Sequence, residues 1–273
     1  VLSTDSVTAT VWSNNVPSLG TFFTSSIQTT STTGQFYYQV YQSETGSAGS
    51  EVQFDISYCD SKGSGSKDFN TLVPGNSPSR TNYGQYRSLI LGDENAKFIF
   101  GSQEVEYFYA LSIERARYKE KLLPGATEIH LKVGSNELSL IDDSSIQTSV
   151  TFTDAGRVYN IVSGSINDGV KTSGTNSPAG WSENSGSYGL FLPDIGTILL
   201  NGPALLGAVG DGGIGLTTIR QPNTFNKNTE KLFNAISSSA ASIADGSKNF
   251  KLNSEETLSS NFIFVRARNN EFN

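Results

Sequence analysis

Two segments in the first quarter of the chain restrict its fold more than any other feature. Gln35-Phe36-Tyr37-Tyr38-Gln39-Val40-Tyr41-Gln42 and Glu51-Val52-Gln53-Phe54-Asp55-Ile56-Ser57-Tyr58 are rich in aromatic and β-branched residues, and a polar Gly/Ser loop joins them. In the second segment Val52, Phe54, Ile56 and Tyr58 alternate with polar residues, the period of a strand with one buried and one wet face. The pair predicts a long hairpin. Apolar residues make up 36% of the chain and charged residues only 16%, so hydroxyl and amide side chains must cover most of the surface. That balance suits β structure with many exposed turns. The fold class read from the sequence is mainly β, in antiparallel hairpins or sandwich-like sheets, with one or two short helices.

The rest of the chain extends this reading. Ile129–Val133 and Leu138–Ile141 flank a turn, as do Val150–Thr153 and Val158–Val162, and two hairpins in succession predict a meander. Leu190–Leu200 is strongly apolar, broken by Asp194 and Gly196, and reads as core. Residues 229–243 carry Leu232, Phe233, Ile236, Ala240 and Ile243 on one helical face and end at Asp245-Gly246, which predicts a helix. Glu104–Leu122 reads as a strand from about 105 that passes into a short helix near 114–121. Residues 60–85 and 163–187 are Gly-, Ser-, Asn- and Pro-rich loop sequence, and Phe262–Val265 reads as a last strand. The expected organisation is an extended arm or edge strands over 1–34, then a β-rich domain over 35–273 with a candidate division near 128. The chain lacks an initiator methionine and stops directly after a strand, so it is read as truncated at one or both ends.

Catalytic chemistry has few tools here. The 273 residues include one His, one Cys and no Met, so a nucleophile–His pair or a zinc site would have to be built on His130 or Cys59, and neither lies in a recognisable motif. His130 alternates with Ile129 and Leu131 and shares its face with Lys132, which predicts a solvent-facing ring. Cys59 reads as a small apolar residue, and a single Cys makes no internal disulfide. Gly210-Asp211-Gly212-Gly213-Ile214-Gly215 has the spacing of a dinucleotide-binding loop, but no helix opens after it to receive a pyrophosphate. It reads as a flexible turn. Asp142 and Asp143, with Asp154 and Asp211, supply carboxylates; adjacent strand residues point to opposite faces, so the first two read as a solvated hairpin end rather than a catalytic pair. No catalytic, cofactor-binding or metal-ligating residue is assigned.

A formal charge of −7 disfavours general nucleic-acid binding. No apolar run is long enough for a membrane-spanning helix. No Asn-x-Ser/Thr acceptor occurs. Two basic clusters interrupt the acidic trend: Glu114–Lys121, containing Arg115 and Arg117, and Arg266-Ala267-Arg268. Together with Trp181, stranded in a Gly-rich loop, these are the candidate interface residues, the arginines for their grip on carboxylates and the Trp as an anchor.

Three blocks carry a resemblance: Tyr109–Lys121, Ser187–Asn201 and Phe264-Val265-Arg266-Ala267-Arg268-Asn269-Asn270-Glu271-Phe272-Asn273. Through them the chain, from about residue 35 onward, resembles virion structural proteins of large contractile-tailed phages, particularly those infecting marine cyanobacteria. The resemblance implies a repeated, symmetry-related part of the virion, in the tail or baseplate, whose partners are other virion proteins or copies of itself in a homo-oligomer within a larger assembly. It brings no catalytic residues, cofactor, nucleic acid or membrane. Two other readings stand beside it. One is a receptor- or carbohydrate-binding β module with Trp12, Trp181 and loop tyrosines as the sugar platform; the other is a glycan-degrading enzyme that uses carboxylates alone.

Overall fold

The computed structural model describes residues 2–24, 37–63, 79–170, 187–207, 212–220, 227–241, 250–263 and 265–266. In chain order its strands and helices are β1 (Leu2–Thr10), β2 (Ser18–Leu19), β3 (Tyr37–Tyr41), β4 (Val52–Asp60), α1 (Ser79–Leu91), β5 (Phe98–Phe100), β6 (Gln103–Val105), β7 (Tyr107–Ile113), β8 (Lys121–Leu122), β9 (Glu128–Val133), β10 (Asn136–Asp142), β11 (Thr151–Thr153), β12 (Gly156–Ser165), β13 (Gly169–Val170), β14 (Gly189–Leu192), β15 (Thr197–Asn201), α2 (Gly202–Leu206), α3 (Asn228–Ala241), β16 (Phe250–Lys251) and β17 (Asn253–Asn261). All strand pairings are antiparallel. The protein is mainly β, as the sequence predicts. The hairpins β3–β4, β9–β10 and β11–β12 are present at the predicted places.

Most strands form one sheet in the order β2-β16-β9-β10-β12-β14-β15-β7-β4-β3, with β11 and β13 attached to β12. This sheet runs continuously through strands on both sides of residue 128. Its central strands are apolar on both faces. On β7, Tyr107, Tyr109, Leu111 and Ile113 face the larger core, while Phe108 and Ala110 face a second, smaller one. That double burial explains why β7 reads as a near-continuous apolar run.

The sheet curls around the larger core until its two ends approach. Phe250 of β16 lies 5.4 Å from Phe54 of β4 between ring centroids, and Trp12 touches both rings, at 4.9 and 6.3 Å. Helix α3 lies along the same core through Leu232, Ala235 and Ile236. Asn228 ties its first turn to the extended segment 212–220, accepting from Ile219 N–H and donating to Ile219 C=O. The smaller core is covered from outside by α1 and the β5–β6 hairpin, where Tyr83, Phe98 and Phe108 pack edge to face or tilted at 4.7–5.5 Å.

A separate ribbon leaves this body. β1 pairs with β17 over nine residues, Leu2 opposite Asn261 to Thr10 opposite Asn253. Among the described residues, Lys121 and Leu122 of β8 alone extend it, at Glu255 and Ser254. Residues 2–24 therefore supply one strand of the ribbon and also the core side chains Val11, Trp12 and Leu19.

Four expectations are corrected. Helix α1 occupies Ser79–Leu91, and its first half falls in a stretch read as loop; Tyr83, Tyr86, Ile90 and Leu91 pack on the smaller core at helical spacing, but the Ser, Arg, Asn and Gly residues among them give the segment a loop-like composition. Residues 114–121 hold one 3₁₀ turn, Arg115–Arg117, before β8. The last strand is Asn253–Asn261, not 262–265: its exposed polar residues pair with β1, whereas Phe262, Ile263 and Val265 are exposed outside any strand. His130 does share a side with Lys132, but it is only 7% exposed.

Candidate functional site

Arg115 and Arg117 both spend their guanidinium groups within the chain. Arg115 stacks on the Tyr118 ring at 4.6 Å and donates to the Tyr118 and Lys119 carbonyls. Arg117 donates to Glu51 Oε2 at 2.7 Å and to Ser13 Oγ at 2.6 Å. That bond and the Ser13 hydroxyl hold the Glu51 carboxyl below its usual range, the Ser13 contribution being the larger. Arg266 is exposed beyond the ribbon, while Trp181 and Arg268 lie outside the described residues. Of the three described candidates, Arg115 and Arg117 share one 3₁₀ turn and Arg266 lies beyond the ribbon.

Of the aromatic platform, the described residues include Trp12 but not Trp181. Trp12 is 2% exposed at the seam of the curled sheet, so it closes the core and has no face left for a sugar. Asp142 and Asp143 turn to opposite sides, as alternation requires, but both are buried rather than solvated. Asp142 accepts N–H groups of Gly125, Thr127 and Ser144, and Asp143 holds Asn160 and Gln147. Asp142 ties the segment before β9 to β10, and Asp143 ties the turn after β10 to β12. Asp154 is exposed and Asp211 lies outside the described residues. Residues 212–220 continue without a helix after the glycine-rich stretch, as the sequence predicts.

His130 belongs to a line of polar contacts across three strands. Ser139 Oγ is 2.9 Å from Nδ1, Nε2 is 3.0 Å from Glu128 Oε1, and Lys251 Nζ is 2.8 Å from Glu128 Oε2. Burial works against the Glu128 charge, but the His130 and Lys251 contacts outweigh it and keep its carboxyl below the usual range. A hydroxyl, an imidazole and a carboxylate in line are ingredients of a nucleophile relay. Here Ser139 and His130 are direct cross-strand partners inside the β9–β10 ladder, and Glu128 is shared with a lysine. The line ties β10, β9 and β16 together. Among the described residues no group of three or more His, Cys, Asp or Glu side chains is placed to hold a metal ion.

Two features are left open to solvent. The first is the ribbon: among the described residues nothing pairs with the outer edge of β1. Val7 and Leu258, 44% and 45% exposed, lie diagonally on one of its faces, and beyond it Ile263 and Val265 are more than four-fifths exposed. No protein-family model, curated protein or solved structure matches this chain.

The second is a cleft of about 560 Å³ on the outer face of the sheet beside α1. Its floor is a polar row in register across strands: Asp55 of β4 opposite Ser112 of β7, and Ser112 opposite Thr197 of β15. Tyr86 of α1 bonds Ser112 Oγ at 2.8 Å, and Tyr37 and Leu89 form the rim. Asp55 Oδ1 is buried without a hydrogen-bond partner. Burial, then the nearby Glu114 charge, push its carboxyl up to about 6. The alternation in β4 announced a polar outer face. It did not announce that a helix would half-cover Asp55.

Proposed function

We propose that the chain is a structural component of a bacteriophage virion, in the tail or baseplate, that works by protein–protein assembly. The observation that carries this reading is the free edge of β1. An edge strand is a template for pairing with another chain, and proteins that stay monomeric blunt such edges with lysine, proline, bulges or a covering element. Over Leu2–Thr10 the chain has one charge, Asp5, with no proline and no lysine.

The edge is also compatible with a second copy of itself. Antiparallel pairing of two β1 strands about Ser6 sets Thr4 opposite Thr8 and Asp5 opposite Val7, so the strand's one charge meets no like charge. A six-stranded sheet across a two-fold axis results, β8-β17-β1 from each copy, of the self-complementary kind that closed oligomers use. The buried charges support the same reading from the other side. Asp60, Glu128, Asp142 and Asp143 all act as struts within the fold, and the resemblance of the chain to tailed-phage structural proteins supplies the particle.

The reading is tested by labelling the chain in particles from its source and imaging them. A label at a fixed, repeated position on the tail or baseplate supports it, and purified particles free of the chain overturn it.

A further inference from the structure

We propose that the cleft beside α1 binds the cationic end of an alkylammonium or alkylguanidinium group, with Asp55 as its counter-ion and Tyr37, Tyr86 and Leu89 along its alkyl stem. The inference is independent of the assembly reading.

Three observations converge on it. The Asp55 carboxylate lines the cleft with its Oδ1 buried and, among the described residues, without a hydrogen-bond partner. A buried carboxylate in that state lacks compensation for its lost hydration, and the one charge that acts on it, Glu114, has the same sign. Among the described residues, those lining the cleft include no lysine or arginine that would repel a cation or compete with it. The walls then select the rest of the ligand. Leu89 is 51% and Tyr37 48% exposed at the rim, and aromatic rings beside a carboxylate favour a cation with an apolar stem. About 560 Å³ is in the range of small-ligand sites and far larger than a bare ion needs. A neutral sugar would find hydroxyls and amides here but would leave the charge of Asp55 uncompensated.

A free polyamine and the Lys or Arg side chain of a partner protein share this chemistry. The test is calorimetric titration of the full chain at neutral pH with putrescine, with Nα-acetyl-lysine amide, with Nα-acetyl-arginine amide and with methyl glucoside. Saturable one-site binding of at least one cation, with none of the glucoside, is expected. Putrescine alone identifies a polyamine site, and the capped amino acids alone identify a partner's side chain. Asp55→Asn weakens the binding about tenfold or more, the weight of one charge-assisted hydrogen bond, and Leu89→Ala, at an exposed position, weakens it by a smaller factor. The proposal is overturned if no cation binds, if Asp55→Asn binds as tightly as the wild type, or if the glucoside occupies the site.

Discussion

Arg220 grips Asp60 with two parallel bonds, Nε to Oδ2 and a terminal nitrogen to Oδ1, each 2.9 Å, across 160 positions of sequence. Asp60 is fully buried at the end of β4, and its Oδ2 also accepts the Tyr58 hydroxyl at 2.9 Å. The guanidinium lies 4.5 Å over the Tyr107 ring and reaches Glu106 at 3.0 Å; Lys62 takes the other Glu106 oxygen at 2.6 Å. Two acids and two bases thus close a neutral network that fastens segment 212–220 to β4 and β7. Burial and then the Asp60 charge push the Tyr58 phenol well above its ordinary range, so this tyrosine acts as a donor at any working pH.

Arg220→Met keeps the stem over Tyr107 but strands the Asp60 charge in the core, so it lowers unfolding stability by about 3–5 kcal/mol. Asp60→Asn in the same chain recovers a substantial part of that loss. Urea unfolding of the two single variants and the double variant measures this as a double-mutant cycle. Equal stability of Arg220→Met and wild type would show that the network holds nothing.

Asp55 works in the opposite direction. Its folded carboxyl titrates at about 6, above the roughly 3.9 of an unfolded Asp, so between these values the folded state holds the extra proton. Stability at this residue is therefore greatest below about pH 4, falls as pH rises to about 6 and is level above that. The groups facing it are Glu114 after β7, Tyr86 of α1 and Tyr37 of β3; Tyr86 is pushed up to about 12, chiefly by burial, and so stays neutral in this window. Asp55→Asn removes the slope. Allowing for solvent screening, it makes the protein about 1–2 kcal/mol more stable than wild type at pH 7 and no more stable at pH 4. Urea midpoints from pH 4 to pH 7 read the crossover, and parallel curves for the two proteins would contradict it.

Gly196 turns β14 into β15 at φ 63°. A Cβ there would lie 2.6 Å from Cζ of Tyr118, so Gly196→Ala combines left-handed strain with a clash against a buried ring. Gly46, at φ 94° with nothing within 4 Å of its Cβ position, isolates the backbone contribution. Gly46→Ala is expected to cost about 1 kcal/mol and Gly196→Ala clearly more, about 2–4 kcal/mol, measured as the difference in unfolding free energy.

Trp12 seals the gap between the two ends of the sheet. Trp12→Ala opens a cavity against Phe54 and Phe250 and costs about 3–5 kcal/mol. Trp12→Phe keeps the apolar contacts and costs less, because the Trp12 indole N–H has no hydrogen-bond partner among the described residues to lose; urea unfolding of both variants measures the difference.

The parts of this fold that were legible in the sequence are those where burial writes a period. Val52, Phe54, Ile56 and Tyr58 announced β4, Leu232 and Ile236 announced α3, and Asp194 with Gly196 announced the β14–β15 turn. The illegible parts depend on distant residues. α1 carries Tyr83, Tyr86, Ile90 and Leu91 at helical spacing, but Gly84 and the polar residues around them read as loop; β17 is polar apart from Leu258 and is a strand only because β1 pairs with it; and His130 is buried by interactions with Ser139 and Glu128 that no local rule foretells. The cleft was half legible: alternation placed Asp55 and Ser57 on the outer face, but the register that sets Asp55 beside Ser112 and Thr197, and the helix above them, belong to the tertiary structure.

Native mass measurement of the purified protein tests whether this chain assembles through the free edge of β1. A defined multimer is expected for the wild type. The exposed double variant Thr4→Lys/Thr8→Lys, whose lysines would face each other across the two-fold pairing, is expected to be a monomer of unchanged unfolding stability. A wild-type chain that stays monomeric at every concentration, or a multimer indifferent to the two lysines, would contradict the account.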